Sequence, residues 1–125
     1  ILCAYAVGAS QAIIFIRSEY PRAIACMRQA VVAAYEQGIL GASVLGSEFA
    51  LDVSICPGLG SYVCGEETAM LNAIEGWRGE VRIRPPYPAV EGLYGKPTVE
   101  NNVETLVSIP QPRHPHDCDH HVRAR

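Results

Sequence analysis

The sequence predicts an α/β fold with a mainly parallel sheet. Short runs rich in β-branched and aromatic residues alternate with segments whose apolar residues recur every three or four positions. Glycines and prolines mark the boundaries between these segments. Strands separated by helices at this spacing pair in parallel, and ligands of such sheets gather at the carboxyl ends of the strands. The 125 residues, 49% of them hydrophobic, are enough for one modest core.

The first half of the chain contains a strand and a helix. The apolar opening, residues 1–16, is interrupted by polar residues and is shorter than the roughly 20 residues that span a bilayer, so it is expected to belong to the core. Residues 12–17 read as a strand. Pro21 suits the first turn of a helix that runs to Gln37, with Gly38 as its stop. The apolar face of this helix is expected to consist of Ile24, Met27, Val31, Ala34 and Tyr35.

The second half contains a strand, a tight loop and two further helices. Residues 51–56 alternate between apolar and polar, as in a half-buried strand. Glycines at 58, 60 and 65 lead into a helix over residues 66–75, which Gly76 ends. Prolines and glycines between 77 and 97 indicate an extended path over the surface. A short helix is predicted over residues 102–107.

Charge and cysteine content exclude several function classes. The net charge is −3, from 10 basic and 13 acidic residues, so the sequence does not have the excess of positive charge that favours binding to nucleic acid or an anionic membrane. The five cysteines form no CxxC pair, so structural thiols in a reducing compartment are expected and no metal ligands are predicted. Residues 110–125 are predicted to be an irregular, non-native or disordered tail. Its clustered histidines and Cys118 leave a metal site as the alternative.

The loop over residues 57–65 follows the second strand and is the first place to expect chemistry. Gly60 and Gly65 have P-loop spacing, but Glu66 and Glu67 replace the lysine and hydroxyl residue that a P-loop requires. The dinucleotide fingerprint also fails, because position 63 is valine. Two carboxylates at a helix N-terminus would repel a phosphate there, so the loop is expected to hold uncharged parts of a nucleotide. Alternatively, the glutamates simply cap the helix and the glycines form a turn.

Four ordered motifs resemble one family. They are GSYVCGEETAMLNAIEG from position 60, RPPYPA from 84, GLYGKPT from 92 and NNVET from 101, and IRSEYP from 16 also matches. These runs resemble the NADH-oxidising flavin subunit of respiratory complex I, and they are similar to the flavin subunits of NAD-reducing hydrogenases and NAD-dependent formate dehydrogenases. The resemblance covers residues from about 4 to 110.

The resemblance implies a fold, two cofactors and a set of site residues. Residues 1–109 would be the C-terminal part of a Rossmann-like domain in which FMN takes a hydride from NADH. Gly65, Glu66 and Glu67 would line the flavin and nicotinamide pocket, with Glu67 nearest NADH. Asn101 and Asn102 would hydrogen-bond FMN. Hydride transfer itself needs no acid–base residue, so no catalytic residue is predicted.

Three further residues carry weaker implications. Tyr62 would either stack near the flavin or simply pack within its turn. Arg84 stands where family members often carry lysine, so it would contact the dinucleotide or remain a solvated charge on an extended linker. Glu100 replaces the family's usual apolar residue and would add negative charge near the pocket.

The family also implies parts that this sequence lacks. The glycine-rich loop that grips the FMN phosphate would precede Ile1, and the cysteines of a [4Fe–4S] cluster would follow the chain. The parent would pass electrons from FMN through that cluster towards quinone, beside other redox subunits, in the cytoplasm or on the inner face of the membrane. The chain alone is expected to be inactive. The alternatives are a fragment that binds neither cofactor and an interaction module that docks on redox partners.

Overall fold

The computed structural model describes residues 1–58 and 62–109 and confirms the α/β class. Three short 3₁₀ turns lie at Val44–Gly46, Tyr62–Gly65 and Leu93–Gly95. The predicted strands and helices are all present, within one or two residues of their expected bounds. An additional short helix occupies the opening segment. In chain order the elements are α1 (Leu2–Val7), β1 (Gln11–Arg17), α2 (Pro21–Glu36), β2 (Asp52–Gly58), α3 (Glu67–Ile74) and α4 (Val103–Val107).

The two strands lie side by side and run in parallel. Their register pairs Gln11 with Asp52 at one end and Arg17 with Gly58 at the other. Both carboxyl ends therefore meet at the same edge, from which the loop after β2 departs. A Cβ at Gly58 would lie 2.4 Å from Cζ of Phe15 on the neighbouring strand, so a larger residue there would displace the Phe15 ring.

Helix α2 crosses between the strands and is tied to the second one. It begins at Pro21 and ends just before Gly38, whose φ of 68° only glycine adopts easily. The five apolar residues predicted for its packing face are half-buried, and none is fully buried. The Tyr35 hydroxyl donates to the Asp52 carboxylate and accepts a hydrogen bond from the Val53 N–H at 2.9 Å. This polar anchor fixes the helix on β2.

The core lies at the amino ends of the strands. Its buried members are Ala4, Leu40, Val44 and Leu51, and half-buried residues of α2 and both strands pack around them. The prediction that residues 1–16 belong to the core is wrong for most of them. In α1 only Ala4 is buried, while Leu2, Tyr5 and Val7 are exposed, because this six-residue helix turns a single side towards the sheet.

The opposite end of the molecule is held together largely by polar contacts. Helix α3 buries Thr68, Ala69 and Leu71. The segment over residues 77–98 follows an irregular path as predicted, with one 3₁₀ turn within it. Across residues 1–58 and 62–109, no helix has the length and apolar character needed to cross a membrane.

Candidate functional site

The N-terminus of α3 is built around Glu66. This residue is the N-cap, with extended backbone angles of φ −90° and ψ 136°. Its Oε2 accepts the Ala69 N–H at 2.9 Å and the Thr68 hydroxyl at 2.5 Å. The interpretation of Glu66 as a capping residue is therefore confirmed. Glu67 is the first helical residue, and its carboxylate shares one further partner with Glu66.

That partner is Arg84, which bridges the two glutamates. One terminal nitrogen pairs with Oε1 of Glu66 and the other lies 2.7 Å from Oε1 of Glu67. All three side chains are about one-third exposed, at 34%, 30% and 36% for Arg84, Glu66 and Glu67. Arg84 is thus not a free solvated charge on a linker. A guanidinium suits this double role because its nitrogens form a rigid fork.

A third carboxylate lies close to this cluster. Partial desolvation raises the pKa of Glu100, the negative charges of Glu67 and Glu66 raise it further, and Arg84 opposes them. Glu100 is an exposed residue, yet the atoms around its carboxyl group displace enough water to favour the neutral form. The negative charge that Glu100 would add near the pocket stays a prediction, although Glu66 and Glu67 both act on its pKa.

Opposing influences act on the pKa of the Glu66 carboxyl. Partial burial, the largest influence, raises the pKa of Glu66, but hydrogen bonds from Thr68, Ala69 and Arg84 together outweigh it. The net pKa of Glu66 therefore lies below its ordinary value, and the carboxylate is ionised at neutral pH.

Asn101 and Asn102 follow Glu100 directly and are exposed. The side-chain nitrogen of Asn101 lies 3.7 Å from the Cys3 sulfur, a weak contact. The side-chain oxygen of Asn102 caps α4 by accepting the Glu104 N–H at 2.9 Å. Within residues 1–58 and 62–109, the oxygen of Asn101 and the nitrogen of Asn102 have no hydrogen-bond partner. Each amide thus retains one group for a ligand, and the contact with FMN stays a prediction.

Tyr62 and Gly65 occupy the 3₁₀ turn between β2 and α3. Tyr62 is 91% exposed, so the alternative of simple packing is wrong within the described part of the chain. A Cβ at Gly65 would meet nothing within 4 Å, and its backbone does not adopt a positive φ. Neither local packing nor conformation requires glycine there. Gly60 lies outside the described residues.

Arg82 organises the far side of α3, a role that sequence reasoning missed. Its guanidinium donates to Asn72 at 2.7 Å, to Glu75 at 2.6 Å and to the Gly92 carbonyl at 3.3 Å. Burial raises the pKa of Glu75, but hydrogen bonds from Arg82 and from the Tyr94 N–H outweigh it and leave the pKa below its ordinary value. The alternation of apolar and basic residues in the segment V-R-I-R, residues 81–84, was the available signal.

A cavity of about 330 Å³ adjoins this network. The ion pair between Glu75 and Arg82 lines this cavity, and the polar atoms of the pair are already satisfied by each other and by neighbouring groups. Its other walls include Ile83, Pro86, Pro88, Glu91 and Tyr94.

Metal-ligating residues do not gather in the described part of the chain. Residues 1–58 and 62–109 contain no group of three or more His, Cys, Asp or Glu side chains arranged to hold a metal ion. Cys3, Cys26, Cys56 and Cys64 are free thiols. Cys118 and the predicted histidine-rich tail lie outside the described residues.

Comparison with known proteins identifies the family. A family model described as the Nuo51 FMN-binding domain matches residues 1–111. The chain belongs to the Nuo51 FMN-binding domain family. The resemblance seen in the four sequence motifs is thereby confirmed, as is the FMN-binding class of fold.

Individual members of the Nuo51 family share about half of the sequence. A subunit of the NADH-quinone oxidoreductase of Aquifex aeolicus is 49% identical over 110 residues, which is 88% of this chain and 26% of that protein. An NADH-quinone oxidoreductase subunit from Rhizobium meliloti is 55% identical over 107 residues, covering 86% of this chain and 25% of the relative. The chain thus spans about a quarter of the length of these relatives.

Hydrogenase subunits also match. The HndC subunit of the NADP-reducing hydrogenase of Solidesulfovibrio fructosivorans is 47% identical over 106 residues, covering 85% of this chain and 22% of that subunit. A crystal structure of an NAD⁺-reducing [NiFe]-hydrogenase in the H₂-reduced state superposes with a TM-score of 0.72 at 41% identity. That superposition covers 86% of this chain and 18% of the hydrogenase chain. The Nuo51 fold is therefore shared between both kinds of oxidoreductase.

The donor groups fit the uncharged portions of FMN. Exposed amides at Asn101 and Asn102 suit hydroxyls and the polar edge of a flavin ring. Two carboxylates paired with a single guanidinium, in contrast, make the N-terminus of α3 an unfavourable place for a phosphate dianion. The residues present thus suit the ring and ribityl regions of the cofactor.

Proposed function

We propose that this chain forms the carboxylate wall of an FMN- and NADH-binding pocket in the flavin subunit of an NADH dehydrogenase. The observation that carries the proposal is the cluster at the N-terminus of α3, where Arg84 holds Glu66 and Glu67 beside the segment that leads into Asn101. Residues 1–109 would form part of the FMN-binding domain, and residues 110–125 would lie outside it.

Each residue of the cluster has a distinct proposed role. Both oxygens of the Glu66 carboxylate already have partners, the Thr68 hydroxyl and Ala69 N–H on Oε2 and Arg84 on Oε1. Glu66 would therefore hold the wall of the pocket in place and contact the ligand less directly. Glu67 is held through one oxygen and keeps its other oxygen for the nicotinamide side of NADH. Arg84 would approach the dinucleotide from its position between the two carboxylates.

The remaining residues would hold the flavin. The open space at Gly65 supports close approach of a ring to the backbone. Asn101 and Asn102 would hydrogen-bond the ring edge and ribityl hydroxyls, and the exposed ring of Tyr62 would stack nearby. The hydride chemistry would be supplied by bound FMN, which accepts a hydride from NADH.

The activity of the whole subunit is proposed for a longer parent, since the matched relatives are about four times as long. In that parent, electrons would leave the flavin through a [4Fe–4S] cluster towards quinone. Other redox subunits of a complex I, hydrogenase or formate dehydrogenase assembly would be its partners. Those partners would hold it in the cytoplasm or at the inner face of the membrane.

Flavin retention tests this proposal. The purified chain is incubated with FMN and passed through a desalting column, and the protein fraction is scanned for flavin absorbance before and after anaerobic addition of NADH. We expect retained flavin. Retention without bleaching would restrict the chain to flavin binding, and absence of retention would favour the docking-module or non-binding alternatives. Free FMN run alone and chain pre-unfolded in urea are the controls.

A matched pair of variants separates the two ligands. In the longer parent, Glu67→Gln should reduce bleaching by NADH more than it reduces FMN retention, because Glu67 is assigned to the nicotinamide side. Glu80→Gln is the control, since Glu80 is 67% exposed and pairs only loosely with Arg78 at 3.5 Å. A Glu67→Gln chain that loses FMN yet bleaches normally once loaded would contradict the assignment.

A further inference from the structure

Thr68 is the one buried polar residue among those that the structure describes, with 2% of its surface exposed. Its hydroxyl makes two hydrogen bonds in opposite senses. It accepts the backbone N–H of Arg82 at 2.9 Å, and it donates to Oε2 of Glu66 at 2.5 Å. Thr68 thus joins the helix that begins the candidate site to the segment that runs on to Arg84.

These contacts close a ring of interactions around Glu66. Arg82 stands two residues before Arg84, and the Arg84 guanidinium returns to the other oxygen of the same carboxylate. Anchoring the Arg82 backbone therefore fixes the point from which Arg84 reaches back. A hydroxyl can accept and donate at once, whereas the isosteric valine side chain can do neither.

We propose that Thr68 is a positioning residue for the carboxylate pair. Through its hydroxyl it sets the rotamer of Glu66 and the place from which Arg84 bridges to Glu67. With Glu66 committed in this way, the second oxygen of Glu67 stays available to a ligand. The effect of Thr68 on the NADH response rests on the proposed function, but its effect on Glu66 does not.

The first test reads the Glu66 carboxyl directly and needs no ligand. The chain is labelled with carbon-13 at the glutamate side-chain carboxyls, and Glu66 and Glu19 are titrated by NMR in the unchanged, Thr68→Val and Thr68→Ser forms. Glu19 is an internal control, because its ion-pair partner is Arg17, at the end of β1. We expect Thr68→Val to raise the Glu66 midpoint and leave Glu19 in place, and Thr68→Ser to restore Glu66.

Two outcomes would overturn this assignment. An unchanged Glu66 midpoint in Thr68→Val would show that the hydroxyl does not hold the carboxylate. Equal movement of Glu66 and Glu19, including movement caused by unfolding, would show that the substitution disturbs the fold as a whole. Either result would remove the specific link between Thr68 and Glu66.

The second test reads function and separates the two proposals. In the flavin-loaded longer parent, Thr68→Val should weaken the NADH response by about tenfold or more, the factor expected when a hydrogen bond to a charged group is lost. Thr68→Ser should preserve the response, and FMN retention should change less than the response in both variants. An equal NADH response in Thr68→Val would refute the functional half of the inference. Failure of the unchanged chain to retain FMN would instead count against the proposed function, while the titration still decides the role of Thr68.

Discussion

Arg82→Met should destabilise the chain, because Arg82 joins the end of α3 to the irregular segment after it. The substitution keeps an unbranched apolar stem of similar length but removes all three side-chain hydrogen bonds. It also leaves the Glu75 carboxylate, whose side chain is only 12% exposed, with the Tyr94 N–H as its remaining partner. A shielded carboxylate that loses its cation is costly.

The expected loss follows from these contacts. A hydrogen bond to a charged group contributes about 1.5–3 kcal/mol, but the Arg82 side chain is 30% exposed, so solvent screens part of the gain. We therefore expect Arg82→Met to lower the free energy of unfolding by about 2–3 kcal/mol. With a urea dependence of about 1–3 kcal/mol per molar, this corresponds to a midpoint lowered by about 0.7–3 M. Arg82→Lys should lose less stability than Arg82→Met but remain less stable than the unchanged chain, since an ammonium cannot reproduce the planar guanidinium fork.

Urea unfolding followed by circular dichroism measures this loss. The matched control is Arg78→Met, because Arg78 is 89% exposed and its ion pair with Glu80 spans 3.5 Å. That variant should remain within about 0.5 kcal/mol of the unchanged chain. Equal midpoints for Arg82→Met and Arg78→Met would refute the reasoning, because they would show that the network around Arg82 contributes no more than a surface ion pair.

Three other predictions concern charge and close packing. Glu100→Gln should stabilise the chain at pH 7 but not at pH 3. Desolvation and nearby carboxylates raise the pKa of Glu100, so its ionisation destabilises the fold only as the pH rises. A lower melting temperature of the variant at pH 7 would contradict this. The pKa values of Glu66 and Glu75 are lowered despite their burial, so the stability they contribute is present above the ordinary carboxyl value of about 4.3 and is lost as pH falls through their folded values. The free energy of unfolding of Glu75→Gln should therefore fall less steeply as the pH is lowered than that of the unchanged chain. An equally steep fall would refute this contribution of Glu75. Gly92→Ala should lower the melting temperature, because its Cβ would lie 2.8 Å from the Pro88 carbonyl oxygen; an unchanged melting temperature would show that the backbone yields.

Much of the fold could be predicted because its signals are local. Pro21 and Gly38 bound α2 through their backbone restrictions, and β-branched runs marked both strands. The degree of burial could not be predicted in the same way. Periodicity identifies which face of a helix is apolar, but the half-buried state of that face in α2 depends on how much of the molecule packs against it.

The sequence suggests candidate residues for the site, but it does not give the contacts among them. The motif around Glu66 and Glu67 and the two asparagines stand out in the sequence. Arg84 reaches Glu66 across 18 residues of chain, and the part of that segment after α3 follows no helical or strand pattern. No local rule gives the path of such a segment, so the double ion pair emerged only from the structure.

The most direct test of the central claim is a titration of isotopically labelled chain with FMN, followed by NMR of individual residues. The account predicts that the signals of Gly65, Asn101 and Asn102 shift with increasing FMN. The signals of Arg22 and Gln29, which lie on the exposed side of α2, should stay unchanged. Shifts on α2 with none at Gly65 and the asparagines, or no shifts at all, would contradict the assignment of this surface to the flavin.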